Sequence, residues 1–186
     1  VGGEYWSCGC GKFFCFNDTA PTEIYTLSLH DALPIFDLPD PKSVSLSRLY
    51  SLGFYKRVEK HLKPFGAMVT QSTSPLYSPE AFLCIKKTLE AAGFSTLPYQ
   101  NSVPSMGQWG WVLGVRQKAM PAQRLKQDLT ALEFADIKTR FLNRDAMISM
   151  AHFGKGLYEQ EGQIEPNTQF DHNILKYYRK GSWDLY

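Results

Sequence analysis

The stretch Ile35-Phe36-Asp37-Leu38-Pro39-Asp40-Pro41 leaves this chain few structural choices. Proline disfavours the helical region for the residue before it, so Leu38 and Asp40 are predicted to be extended or in a turn. An apolar pair followed by two closely spaced prolines reads as a strand that stops and hands two carboxylates to a stiff loop. In open α/β sheets, ligands bind just outside the carboxyl ends of the strands. The plainer reading is an Asp/Pro turn that only terminates a strand. The sequence that follows favours the first.

From Leu46 to Leu62 the apolar residues Leu52, Tyr55, Val58 and Leu62 recur three and four apart, which predicts a helix. Lys56, Arg57, Glu59 and Lys60 fill its other face, and Pro64-Phe65-Gly66 stops it. Ala67–Gln71 is a short apolar run ending on an amide, as a buried strand would be. Ser78 before Pro79 reads as an N-cap with proline at the first helical position. The helix it opens runs to Ala92, with Phe82, Ile85, Leu89 and Ala92 on one face and Lys86, Lys87 and Glu90 on the other. Gly93 is its C′ residue and Cys84 a small core side chain. Phe94–Val103, interrupted by Pro98, and Trp109–Val115 are strand candidates around a Pro104–Gly107 turn, hence an antiparallel hairpin. Alternating strands and helices imply a parallel α/β sheet, to which the hairpin adds an antiparallel edge. Beyond Pro121, short helices are expected around Leu125–Leu132, Phe141–Phe153 and Ile174–Tyr178, packed on the sheet as a tail. His152 and His172 lack spaced partners and read as structural or exposed.

Residues 17–35 stand apart. Except for Pro21, where threonine is usual, they resemble the conceptual translation of a short-read sequencing adapter, so residues 1–35 are set aside as non-native. Cys8, Cys10 and Cys15 fall in that segment. With one residue between the first two, three thiols do not make the four-ligand set a structural zinc site requires. Only Cys84 remains in the body, which argues against a disulfide framework and for a reducing compartment. Residues 1–35 hold one lysine and four acids. The remainder therefore keeps 19 basic and 14 acidic side chains, a net of +5 with no long block of one sign. Lys176–Lys180 is a solvated helix face rather than a nucleic-acid footprint. No run of about 18 apolar residues occurs, so no membrane span is expected, and the N-terminus lacks the pattern of a signal peptide.

From Asp37 on, the order of motifs resembles the C-terminal half of the polyamine aminopropyltransferases, the spermidine synthase family. The likeness is greatest to the bacterial branch with a membrane-embedded N-terminal region. The matching pieces are Asp37–Pro41, Leu49-Tyr50-Ser51, Phe54-Tyr55, Leu62-Lys63-Pro64, Gln71 with Thr73-Ser74-Pro75, and Thr88–Phe94. Pro98-Tyr99 and Val103-Pro104-Ser105 with Gly107, Trp109 and Gly110 continue it, and Arg140–Leu142 and Asn173–Tyr178 match more weakly. The resemblance implies the closing half of a class I methyltransferase-like Rossmann sheet (residues 36–118) with a helical extension of the same domain (119–186). It implies transfer of the aminopropyl group of decarboxylated S-adenosylmethionine, a co-substrate rather than a bound cofactor, to putrescine. The products are spermidine and methylthioadenosine. Asp37 would accept the proton, Asp40 and Gln71 would bind the diamine, and Tyr99 and Trp109 would contribute walls. No metal is called for, because a sulfonium is already an excellent leaving group. The implied setting is a cytoplasmic catalytic domain whose parent is anchored in the bacterial inner membrane.

Phe65 stands where the family has the first of two glycines, and Gln100-Asn101-Ser102 depart from its pattern. Nothing before Asp37 resembles the Gly-rich loop and acidic residue that hold the nucleoside. The chain is therefore expected to be inactive alone, and its open sheet edge to favour aggregation or self-association. Competing readings are a class I methyltransferase and a non-catalytic polyamine-binding domain.

Overall fold

The computed structural model describes residues 34–134 and 138–185, so the expectations for the adapter-like segment and its cysteines lie almost wholly outside the described residues. Four strands form one sheet: β1 (Ile35–Phe36), β2 (Ala67–Gln71), β3 (Phe94–Val103) and β4 (Gly107–Arg116). Their order is β1-β2-β4-β3. β1 and β2 are parallel, while β4 runs antiparallel to both of its neighbours. The α/β architecture is thus as expected for a methyltransferase-like sheet, with one refinement. The return strand of the hairpin turns inward, leaving β3 outermost. That placement accommodates Pro98, which lacks a ladder N–H, in a strand that proves continuous rather than interrupted.

The helix expected over Leu46–Leu62 is divided into α1 (Val44–Ser47), a 3-10 turn (Arg48–Tyr50) and α2 (Leu52–His61). The break is at Ser51, which is extended (φ −85°, ψ 154°) and caps α2 by accepting from the Phe54 N–H. The Leu52 N–H donates to the Asn167 carbonyl at 2.8 Å, so a distant segment helps fix the break. The helix α3 (Pro79–Ala91) follows β2 and ends at Gly93, whose φ of +97° suits glycine alone. Ser78 precedes it but makes no side-chain cap, a correction to its expected role. Ser74 Oγ serves that turn instead, accepting from Leu76 and Tyr77 N–H groups.

Residues opposite each other in an antiparallel ladder share a face. On one face Met68, Val112 and Phe94 meet Tyr55 and Val58 of α2 and Phe82, Ile85 and Leu89 of α3 in the main core. α3 lies so close to β4 that a Cβ on Gly110 would sit 2.5 Å from the Phe82 ring. On the other face Leu97 and Val115 meet Leu125 of α4 (Ala122–Thr130) in a much smaller cluster.

The tail is more than a helical tail on the sheet. α5 (Arg144–Met150) sits near β3, whereas α6 (Asn173–Arg179) inserts Ile174 and Tyr178 into the main core against α3. The low-apolar Glu159–Asp171 stretch folds over α3. There Lys86 pairs with Glu90 and Glu161, and Lys87 donates to the carbonyls of Glu161 and Ile164. The fully buried Asn167 donates to Ser47 O and receives the Ile174 N–H. His172 contacts Ser47 Oγ at 2.8 Å, and the exposed His152, just past α5, bonds the Ile148 carbonyl of that helix.

Candidate active site

β1 ends at Phe36, and Asp37 is the next residue, exposed and without a hydrogen bond or ion pair among the described residues. Leu38 then anchors the loop in the main core. Asp40 lies on a tight turn, closed by the Lys42 N–H donating to its carbonyl at 2.7 Å. Its carboxylate is half-buried and held on both oxygens. Gln71 Nε2 donates to Oδ1 at 3.1 Å and Tyr178 Oη to Oδ2 at 3.0 Å. Gln71 is the last residue of β2, so the ends of two adjacent parallel strands meet through an amide and a carboxylate.

The direction of these bonds is fixed by chemistry. A carboxylate can only accept, so the Gln71 NH2 must face Asp40 and its Oε1 must accept from elsewhere. Tyr50 Oη supplies that proton at 2.7 Å, with the carbonyls of Leu38 and Pro39 at 3.1 and 3.0 Å. Tyr50 is fully buried, and burial followed by the nearby Tyr55, Asp40, Asp37 and Tyr178 holds its phenol well above the usual tyrosine range. It remains a neutral donor. The result is a relay of neutral donors, Tyr50 to Gln71, that ends on the Asp40 carboxylate, which Tyr178 holds from the far side.

No basic side chain pairs with Asp37 or Asp40 among the described residues; the lysine and arginine ion pairs all lie elsewhere. Neutral donors steady the Asp40 charge without cancelling it. Among the described residues the site therefore presents two carboxylates with no basic partner, which suits a cation. Two shallow concavities of about 430 and 680 Å3 lie away from it, one by Glu90 and Pro121, the other between β3 and α5.

Of the residues singled out from sequence, Asp40 and Gln71 are in direct contact, and Asp37 stands beside them in the same loop. Tyr99 is farther off. Gln71, Trp111 and Tyr99 are paired in register across β2, β4 and β3, so they share a face, with Trp111 between the other two. Two strand spacings make that roughly 10 Å. Tyr99 stacks on Trp111 with centroids 5.7 Å apart, and its burial pushes its phenol up to about 12. Trp109 is buried two residues before Trp111 on β4. Sequence reasoning assigned no role to Tyr50 and Tyr178, although both lie within the matching pieces. Thr73 is a further surprise. It follows Gln71 by two residues, is fully buried, and adopts φ +58°, unusual for a β-branched residue. Backbone strain of this kind concentrates at functional loops.

The description "Spermine/spermidine synthase domain" matches residues 30–127, more than half of the 186. The chain belongs to the spermine/spermidine synthase family. It is 33% identical over 146 residues to polyamine aminopropyltransferase 2 of Ralstonia nicotianae, covering 78% of this chain and 27% of that protein. It is 34% identical over 154 residues to the polyamine aminopropyltransferase of Oceanobacillus iheyensis, covering 82% and 28%. For that of Shewanella oneidensis the identity is 35% over 154 residues, covering 83% and 26%. The chain thus spans about a quarter of the length of these curated relatives. A spermidine synthase solved with the transition-state analogue AdoDATO superposes with TM-score 0.47 at 16% identity, covering 63% of this chain and 41% of that one. No described helix is long and apolar enough to cross a membrane.

Proposed function

We propose that this chain carries the amine-binding and proton-accepting side of an aminopropyltransferase that makes spermidine from putrescine. The observation that supports it most is the pair of uncompensated carboxylates at the β1 end, one clamped by neutral donors and one unpartnered among the described residues. Asp40, oriented by Gln71, holds one ammonium of the diamine. A primary amine has a pKa near 10, so the attacking nitrogen must shed a proton before or as it reacts. Asp37 is the acceptor, three residues before Asp40 on the same loop and not tied to any described partner. The nitrogen attacks the aminopropyl carbon beside the sulfonium of decarboxylated S-adenosylmethionine. The C–S bond breaks, its electron pair stays on sulfur, and neutral methylthioadenosine leaves. Holding both reactants together supplies much of the acceleration. The family resemblance implies a Gly-rich loop and an acidic residue that hold the nucleoside, and no residues before Asp37 resemble them; on this reading the 186-residue chain binds the diamine without turning it over.

The test is calorimetric titration of the folded chain with putrescine and with butylamine, which carries one charge. Putrescine binding that is lost in Asp40→Asn, retained in Asp37→Asn, and stronger than butylamine binding supports the reading. Absence of putrescine binding by a chain that is demonstrably folded sinks it. Formation of S-adenosylhomocysteine from S-adenosylmethionine would instead favour a methyltransferase.

A further inference from the structure

The C-terminal helix reaches the candidate site from 138 residues away: Tyr178 Oη donates to Asp40 Oδ2 at 3.0 Å. The residues after Tyr178 continue the contact around the rim of the sheet. Trp183 Nε1 donates to the Tyr178 carbonyl at 2.8 Å, and the two rings pack with centroids 4.5 Å apart. Trp183 also lies against Tyr77, and the Ser182 N–H donates to the Tyr77 carbonyl at 2.8 Å. Lys180 pairs with Glu80 at the start of α3. Gly181 permits this approach, since a Cβ there would sit 2.6 Å from Trp183 Nε1 and 2.8 Å from Tyr77 O. One short segment therefore touches both loops that leave the strand ends: the β1 loop through Asp40 and the β2–α3 loop through Tyr77.

We propose that Tyr178 is a positioning residue for Asp40, and that Tyr178–Trp183 straps the two loops into one amine-holding wall. The choice of a phenol matters. A lysine or arginine in its place would neutralise Asp40, whereas a hydroxyl fixes the carboxylate plane and leaves its charge for the ligand. Each carboxylate oxygen has two acceptor sites, so with Gln71 on Oδ1 and Tyr178 on Oδ2 both oxygens can still receive an ammonium proton. Gln71 enters from β2 and Tyr178 from α6. Losing either leaves Asp40 free to turn about its side-chain bonds. The strap's role as an amine-holding wall rests on the diamine reading above; the control of Asp40 geometry does not.

The experiment uses the 186-residue chain and the variants Tyr178→Phe, Trp183→Leu and Tyr177→Phe. Tyr177 is the internal control, because its hydroxyl also serves the tail, accepting from the Glu165 N–H, without touching Asp40. Two quantities are read: the side-chain NH2 resonances of Gln71 in a 1H–15N spectrum, and putrescine affinity. Tyr178→Phe is expected to move the Gln71 resonances and weaken putrescine about tenfold. Trp183→Leu should do the same about threefold, and remains informative if Tyr178→Phe does not fold. Tyr177→Phe should change neither. Gln71 resonances unmoved in Tyr178→Phe, or moved equally in Tyr177→Phe, overturn the proposal. If the wild-type chain binds no putrescine yet Tyr178→Phe alone shifts Gln71, the positioning role stands and the diamine reading fails.

Discussion

On one face of the sheet, α2, α3 and α6 help bury Tyr50, Tyr55, Phe82, Ile85, Leu89, Ile174 and thirteen more side chains in a continuous core. On the other, α4 covers Leu97 and Val115 with Leu125, and Ala67, Leu113, Met120 and Leu129 pack around them only partly buried. The two faces are made from the same alternating strands, so the asymmetry comes from the helices. α3 is buried almost all round, because the sheet lies beneath it and the tail above it, whereas α4 is amphipathic with Leu125 as its one buried residue. The site depends on the thick face. Tyr50 and Tyr178 both belong to that core, and their hydroxyls emerge at its rim to hold Gln71 and Asp40. The carboxylate geometry is therefore as rigid as the core behind it.

The largest expected effect tests the thick face. Phe82→Ala removes a fully buried ring that fills the space above Gly110, and should cost about 3–5 kcal/mol in urea unfolding. A cost under about 1 kcal/mol would mean the core collapses readily and cannot serve as a stiff support.

Alkali attacks the same face. Burial pushes the Cys84 thiol up to about 12 and raises the Tyr55 phenol as well. A raised folded-state pKa means the native state keeps its proton where the unfolded state has lost it. Stability is then unaffected below the unfolded value, near 8.5 for a thiol, and falls as pH rises from there toward 12. For Cys84 alone the loss is on the order of 4 kcal/mol by pH 12. Urea midpoints measured from pH 8 to 11 should decline steadily, and less steeply in Cys84→Ala. A flat profile would show that the thiol is hydrated in the native state.

Much of the element pattern was legible in the sequence, whereas the unequal packing of the two faces was not, and the exceptions have physical causes. The strands, α3, its Gly93 terminus and the Asp37/Asp40 pair follow from local pattern, since period, proline and glycine act within a few residues. The break at Ser51 did not, because it is held in part by the Asn167 carbonyl, more than a hundred residues away. Lys86 and Lys87 read only as the face opposite the apolar stripe, because nothing local announces that Glu161 and Ile164 will cover them. Asp40 and Gln71 were both named for the diamine pocket. Their direct contact, and the tyrosines that fix it, arise only when four separate elements come together.

The thin face gives the next effect. Leu125→Ala removes the one buried residue of α4, and should cost about 2 kcal/mol, the low end for leucine, because a small cluster near solvent can close over the gap. Putrescine binding should be unchanged, since α4 packs beside Leu97 rather than the β1 loop. A loss as large as that for Phe82→Ala would abolish the contrast between the faces.

The smallest effect lies on the outer surface of α4. Arg124 donates from Nε to both oxygens of Asp128 at 2.8 and 2.9 Å, a geometry that looks strong on paper. Both side chains are largely in water, 67% and 44% exposed, where an i,i+4 pair contributes only about 0.3–0.5 kcal/mol and salt screens most of it. Arg124→Ala should therefore shift the urea midpoint barely beyond error, and not at all in 1 M salt. Lys86, 15% exposed, pairs with Glu90 (39%) and Glu161 (28%), where solvent screens less than it does around Arg124 and Asp128. Lys86→Ala should cost several times more than Arg124→Ala. If the two substitutions cost the same, burial by the tail is not what separates the faces.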